Sequence, residues 1–312
     1  MAVYTVGPLY LNTGAGGSLL DQVQDLGFSP NVRRLFGGGD GLPDPSHAAV
    51  AGLDADFSFT CTDLGTLLAL ASGAFVTAGL ALSSSNKGEF YFRQMANTGE
   101  RATGSTHLQL LVNKGLMVPT GISASHGGVA SCSVQIAAVY DGSNDPVVLS
   151  AVAAIPGTPD VTALYTVGKV ALAWSGGSVS LDDEVTSIAL DTGIRLVRVG
   201  GGGKVWGTFV AIQDRAPSLR VSVTDAAVLA TLGIGGKAIT SGSVYFRRFQ
   251  EGSAVYADNQ LQHVKLALYE GWAGVTGLSA GGNGVAGPEL SIELTKPTAN
   301  AAIVATVGVA IT

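Results

Sequence analysis

Charge is scarce in this chain. Asp, Glu, Lys and Arg make up 13% of its 312 residues, about half the share found in an ordinary soluble domain. Hydrophobic residues make up 46% and the mean hydropathy is +0.37, which excludes an intrinsically disordered chain. A freely diffusing monomer should carry more surface charge, so much of this surface is expected to lie against other protein or against membrane. Basic residues are the scarcer sign, 17 against 23 acidic, for a net charge of −6. That balance disfavours tight binding of nucleic acid, which needs clustered Lys and Arg to displace counterions. Cysteine is almost missing: Cys61 and Cys132 are too few for a disulfide scaffold. They lie far apart in the sequence in unlike contexts and read as reduced core residues of a protein made in the cytoplasm. Aromatic residues are only 7%, few for the exposed stacking platforms of a carbohydrate-binding module.

Long apolar runs are limited to one. Leu64 to Asn86 carries no charge, and Gly65 to Leu82 is long enough to cross a bilayer. Its Ala, Gly, Thr and Ser content, with Gly65, Gly73 and Gly79, weakens a long helix. A short helix followed by a strand is the expectation. Met1 to Leu11 has no basic stretch and does not read as a signal peptide.

What is present in abundance is repetition. Ala2, Tyr4, Thr5, Val6 and Gly7 match Ala163, Tyr165, Thr166, Val167 and Gly168. Gly88, Tyr91, Phe92 and Arg93 match Gly242, Tyr245, Phe246 and Arg247, and His107 matches His263. Thr62 and Asp63 match Thr224 and Asp225. The block Gly115–Ile136 aligns without a gap to Gly271–Ile292. The blocks keep the same order in both halves, which marks a tandem duplication. The expected division is a first copy over 1–153, a linker over 154–162 containing Pro156, Gly157 and Pro159, and a second copy over 163–312. The second copy of the apolar run, Ala226 to Ile239, is shorter and contains Lys237. It cannot span a bilayer, so neither copy is expected to.

Each copy reads as mainly β. Phe57, Phe59 and Cys61 alternate with Asp56, Ser58 and Thr60, and Leu219, Val221 and Val223 with Arg220 and Ser222. Strands are also expected over Glu89–Gln94 with Phe90 and Phe92 inward, and over His107–Val112, Ser133–Tyr140, His263–Leu268 and Leu290–Leu294. One helix per copy is signalled. Thr62 or Asp63 caps a helix over Leu64–Ala71 with a stripe of Leu64, Leu67, Leu68 and Ala71. Thr224 or Asp225 caps Ala226–Leu232, which stops at Gly233. The expected fold is therefore two tandem β-sandwich or barrel domains of about seven or eight strands, each with one short α-helix and a long hairpin loop. The loop of the first copy runs Gly37, Gly38, Gly39, Asp40 to Pro45, and that of the second Gly200, Gly201 to Lys204. Each follows a basic strand, at Arg33–Arg34 and at Arg195.

Catalytic signatures do not emerge. Gly200–Lys204 lacks the Ser or Thr that a phosphate loop places after its lysine, and Gly235-Gly236-Lys237 fails the same test. Asp40, Asp44, Asp54 and Asp56 lack the spacing and the closing Glu of a calcium loop and read as solvent-facing turn carboxylates. His47, His107, His126 and His263 do not cluster. No enzyme activity, metal or cofactor is expected. Arg93 beside Tyr91, and Arg247 beside Tyr245, form the polar edge of matching strands. They read either as a solvent face with the Arg stem over the ring or as subunit contacts repeated around a ring.

One copy thus opens with Tyr4-Thr5-Val6-Gly7 and passes through a basic strand and a Gly/Asp loop. Gly52-Leu53-Asp54-Ala55-Asp56-Phe57-Ser58-Phe59 then leads into Asp63 and a short Leu-rich helix. This plan resembles the tail tube (major tail) proteins of tailed bacteriophages and related tube proteins of contractile injection machines, over nearly the whole of each copy. The resemblance implies a β-sandwich flanked by a helix, with a long hairpin that helps stack rings. It implies that a chain with two such domains closes as a trimer with pseudo-sixfold symmetry, and that the rings stack head-to-tail into a filament. Other tail proteins would meet the tube ends, with or without a sheath, and no membrane would be involved. The protein would reside in the virion tail, with DNA passing through a lumen whose acidic potential prevents sticking. The expected subunit contacts are Gly37, Gly38, Gly39, Asp40, Pro45, Arg93, Gly200, Gly201, Lys204 and Arg247. The first copy carries 6 basic and 11 acidic residues and the second 11 and 12, together the 17 and 23 of the chain. The two copies have therefore diverged in charge. A tail hub or distal tail protein with paired tube domains is the alternative within the class, and a carbohydrate-binding β-sandwich the alternative outside it. Trp174, Trp206 and Trp272 have no tryptophan counterparts in the first copy.

Overall fold

A computed structural model describes residues 3–12, 18–37, 47–95, 107–155, 163–201, 203–233, 235–251, 254–279, 287–295 and 301–312. The chain is 65% strand and 7% helical. The first repeat contributes β1 (Val3–Asn12), β2 (Ser18–Leu20), β3 (Val23–Ser29), β4 (Val32–Gly37), β5 (His47–Leu53) and β6 (Asp56–Cys61). Helices α1 (Leu64–Ala69) and α2 (Phe75–Ala78) follow, then β7 (Leu80–Leu82), β8 (Lys87–Met95), β9 (His107–Val112), β10 (Gly115–Ser125), β11 (Ser131–Ala138) and β12 (Val147–Val152). The second repeat contributes β13 (Tyr165–Trp174), β14 (Gly177–Leu181), β15 (Val185–Asp191), β16 (Arg195–Gly200), β17 (Gly207–Asp214) and β18 (Ser218–Val223). It continues with α3 (Ala227–Leu232), β19 (Lys237–Arg248), β20 (His263–Leu268), β21 (Glu270–Ser279), β22 (Gly287–Thr295) and β23 (Ile303–Val309). The junction residues 156–162 lie outside the described residues.

Strand order recurs between the repeats. The first has a sheet ordered β12-β9-β8-β1-β2, and the second the same order as β23-β20-β19-β13-β14. Likewise β10-β11-β6-β3 recurs as β21-β22-β18-β15. One long strand in the second repeat replaces two in the first. The Lys237–Ile239 end of β19 pairs with β21 as β7 pairs with β10, and the rest pairs with β13 and β20 as β8 pairs with β1 and β9. All these pairings are antiparallel.

The alternation read in the sequence is the in-out pattern of the sheets. β6 and β18 show identical burial, with Phe57, Phe59 and Cys61 inward in one and Leu219, Val221 and Val223 inward in the other. Phe57 and Phe90 stack with ring centroids 5.7 Å apart, and Phe59 meets Phe90 edge-on at 5.5 Å. Each such fully buried side chain supplies about 1.5–3 kcal/mol. Phe92 is only half-buried.

Asp63 starts α1: its carboxylate accepts the Thr66 backbone N–H at 3.2 Å, and Leu64, Leu67 and Leu68 face the core. Ala71 leaves the expected stripe. It has φ 52° and Ser72 φ 55°, both exposed, and the chain turns through a 3-10 segment at Leu70–Gly73 into α2. The first repeat therefore carries a second short helix that the sequence did not signal, because two left-handed non-glycine residues interrupt the periodicity. In α3 the Asp225 carboxylate accepts the Ala227 N–H at 2.8 Å, and the helix ends at Gly233 with φ 73°. Among the described residues no helix is long and apolar enough to cross a membrane.

The repeated Tyr-Thr-Val-Gly segment has a steric cause. Gly7 and Gly168 sit at register shifts where β1 meets β8 and β13 meets β19. A Cβ there would lie 2.8 Å from the Tyr91 carbonyl oxygen and 2.6 Å from that of Tyr245. Each glycine also lies against the Cγ of the Arg two residues on, Arg93 or Arg247. This close approach corrects the reading of a solvent face. Tyr91, Tyr245 and Arg93 are buried and Arg247 half-buried, on strands β8 and β19 that have a neighbour on each side. The Tyr91 hydroxyl donates to Glu89 at 2.5 Å and accepts from Gln109 at 3.0 Å.

The two cysteines are not remote in space. Cys61 and Cys132 are register partners across β6 and β11, both free thiols and fully buried.

Candidate assembly interface

The structure brings the two repeats together along one strand pair. The second half of β10 pairs antiparallel with β15: Gly121 with Asp191, Ile122 with Leu190, Ser123 with Ala189, Ala124 with Ile188 and Ser125 with Ser187. The ladder continues at both ends. Thr192 N–H donates to the Thr120 carbonyl at 3.1 Å and His126 N–H to the Thr186 carbonyl at 2.8 Å. The Thr192 hydroxyl, buried, donates to the Pro119 carbonyl at 2.7 Å. A single 14-stranded sheet therefore runs through both repeats. β10 satisfies its backbone with β7 along Gly115–Met117 and with the other repeat along Gly121–Ser125.

A hairpin reinforces this seam. β16 and β17 form a two-stranded ribbon, as do β4 and β5, so both expected hairpin stems are present. The second ribbon leans on the first repeat. Leu53 N–H donates to the Val205 carbonyl at 2.7 Å, Tyr140 N–H to the Gly207 carbonyl at 2.7 Å, and Trp206 Nε1–H to Asp145 Oδ1 at 3.2 Å. Arg198, mostly buried, places Nη2 2.7 Å from Asp56 Oδ1 and 3.1 Å from the Ala55 carbonyl, with Nη1 3.6 Å from Asp54 Oδ1. Asp54 and Asp56 are thus the anionic half of an inter-repeat clamp, not the free turn carboxylates expected from their spacing. Arg33 approaches Asp54 at 3.4 Å from the other side. A cleft of about 560 Å³ beside the clamp is lined by Arg33, Asp54, Arg198, Lys204 and Trp206.

The residues expected at subunit contacts fall in three groups. Gly38, Gly39, Asp40 and Pro45 lie outside the described residues, and Gly37 ends β4. Gly200 and Gly201 are exposed at the tip of the second ribbon, and Lys204 holds its ammonium 5.0 Å from the centre of the Tyr140 ring. The third group is covered or bonded within its own repeat. Arg93 is buried on β8. Arg247 meets Asp182 at 2.5 Å and Asp258 at 3.1 Å within its own repeat. Its hydrogen bonds hold the Asp258 carboxyl below the usual carboxylate range. The repeated histidines make the same backbone contact in both copies. His107 Nδ1 accepts from Gln94 N–H at 3.3 Å, and His263 Nδ1 from Arg248 N–H at 3.2 Å. Among the described residues no group of three or more His, Cys, Asp or Glu is placed to hold a metal ion.

Ile122, Leu190, Arg198 and Trp206 are the interface residues that sequence reasoning missed. The gapless alignment of Gly115–Ile136 with Gly271–Ile292 was the signal nearest to them. Comparison with known proteins finds no matching family model and no matching curated sequence.

Proposed function

We propose that this chain is a structural protein of a bacteriophage tail tube, in which three copies form a pseudo-hexameric ring and rings stack head-to-tail around a conduit for DNA. The observation that carries the reading is the β10–β15 seam: two repeats of one topology joined edge to edge by unlike strands. A contact between unlike edges is heterologous, and repetition of such contacts produces rings and filaments.

Other features support it. The low charge fits a chain whose surface is covered by neighbours. Leu35, Phe36, Val199 and Phe209 expose apolar side chains on the two ribbons, as expected of arms that reach other subunits. The net charge of −6 suits a lumen that lets phosphates slide.

Negative-stain electron microscopy of the purified chain at rising concentration tests the reading. Long hollow tubes with a regular axial repeat are expected. Isolated rings would move the assignment to a hub or distal tail protein, and monomers at every concentration would overturn it.

A further inference from the structure

The seam inside one chain specifies a second one between chains. The strand that corresponds to β10 is β21, and the strand that corresponds to β15 is β3. Within a chain β10 of the first repeat has taken β15 of the second. That leaves β21 of the second repeat and β3 of the first. Beyond its pairing with β19 at Gly271–Ala273, β21 has no strand on its outer edge among the described residues. Among the described residues β3 is the end strand of the sheet and pairs only with β6. These are edges of the kind that recruit further strands.

The register follows from equivalences on both sides. Leu278 stands in β21 where Ile122 stands in β10. Phe28 stands where Leu190 stands, since Phe28 pairs with Phe57 of β6 as Leu190 pairs with Leu219 of β18. Ile122 and Leu190 face each other in the seam and are 1% and 3% exposed. Leu278 and Phe28 are 56% and 47% exposed. The same two positions are thus covered where the seam exists and bare where it does not. The turns after the strands also correspond: Gly193 has φ 56° and Asn31 φ 40°. The copies differ in one respect. Pro30 takes the place of Thr192 and has no N–H for the bond that Thr192 makes to Thr120, so the second ladder ends one residue sooner.

We infer that β21 pairs antiparallel with β3 of a second copy of this chain, Leu278 opposite Phe28 and Gly277 opposite Ser29. The inference rests on the self-assembly reading above and names the edges that execute it. Chain-to-chain contacts then repeat the repeat-to-repeat contact, and three chains supply the six seams of a closed ring.

Mixing two single variants, Phe28→Cys and Leu278→Cys, tests this under mild oxidation. Cβ atoms of directly opposed antiparallel residues lie about 4.5–5.5 Å apart, close to the span of a disulfide. Both substitutions remove exposed side chains, and the native thiols Cys61 and Cys132 are fully buried. The mixture should give covalent dimers linked between positions 28 and 278. Either variant alone should give none, and the chain carrying both should form a ladder that closes at three. If microscopy shows rings or tubes but no 28–278 link forms, the pairing is wrong and the tube reading stands. Dimers from Phe28→Cys alone would also overturn it, because they require like edges to meet. If the chain stays monomeric throughout, both readings fall.

Discussion

Replacing Arg198 by Met measures how firmly the two repeats are joined. The methionine keeps most of the stem and removes the guanidinium that meets Asp56, Asp54 and the Ala55 carbonyl. Hydrogen bonds to charged groups contribute about 1.5–3 kcal/mol each, and breaking a fully buried ion pair costs about 3–5 kcal/mol. The Asp54 and Asp56 side chains retain 27% and 30% exposure, so water re-solvates them once the arginine is gone. The loss therefore falls at the low end, about 2 kcal/mol. With about 2.1 cal/mol/K of unfolding entropy per residue, that lowers the melting temperature of a chain this long by about 3 °C. Arg195→Met is the control: Arg195 and Asp214 meet only at 3.8 Å and are well exposed, so about 0.5 kcal/mol or less is expected. Chemical denaturation of Arg198→Met, Asp56→Asn and the double variant gives the coupling between the partners, expected near 1 kcal/mol or above. A loss for Arg198→Met no larger than for Arg195→Met, with negligible coupling, would refute the clamp.

Gly168→Ala, whose Cβ would press on the Tyr245 carbonyl at 2.6 Å, should cost about 1–3 kcal/mol in thermal unfolding. Gly201→Ala, with nothing within 4 Å among the described residues, should stay within about 0.5 kcal/mol. Arg247 lowers the Asp258 carboxyl, so that carboxylate's contribution is complete above its unfolded value and disappears as pH falls through the lower folded one. Below about pH 4, Arg247→Met should lose less stability per pH step than the native chain, as read from melting curves.

Local features were legible in the sequence and pairings across distance were not. The alternation in Asp56–Cys61 and Ser218–Val223, the caps at Asp63 and Asp225 and the stop at Gly233 each depend on neighbours a few residues away. Those are visible as period, spacing and residue type. The duplication was visible because it is itself a sequence pattern. Cys61 facing Cys132, and Ile122 facing Leu190, depend on register between segments about 70 residues apart, on which local periodicity is silent. The solvent-face reading of Tyr91 and Arg93 failed for a related reason. On a central strand flanked by β1 and β9, long side chains cover one another, so the outward face need not be a wet one. At the seam between the repeats, the second ribbon was anticipated as a hairpin from its Gly-rich tip. Arg198 was not, since one arginine in a strand carries no mark of what lies opposite.

The seam also sets a timetable for synthesis. β15 is bonded to β10 on one side and to β18 on the other. When the ribosome has released β10, the strand that will cover Gly121–Ser125 has not yet been made. At about 5–20 residues per second, several seconds separate Ser125 from Asp191. Throughout that interval the nascent first half presents a raw edge bearing Ile122, available to any other nascent chain at the same stage. Covalent fusion of the halves ensures that the correct strand follows on the same chain, after β11 to β14.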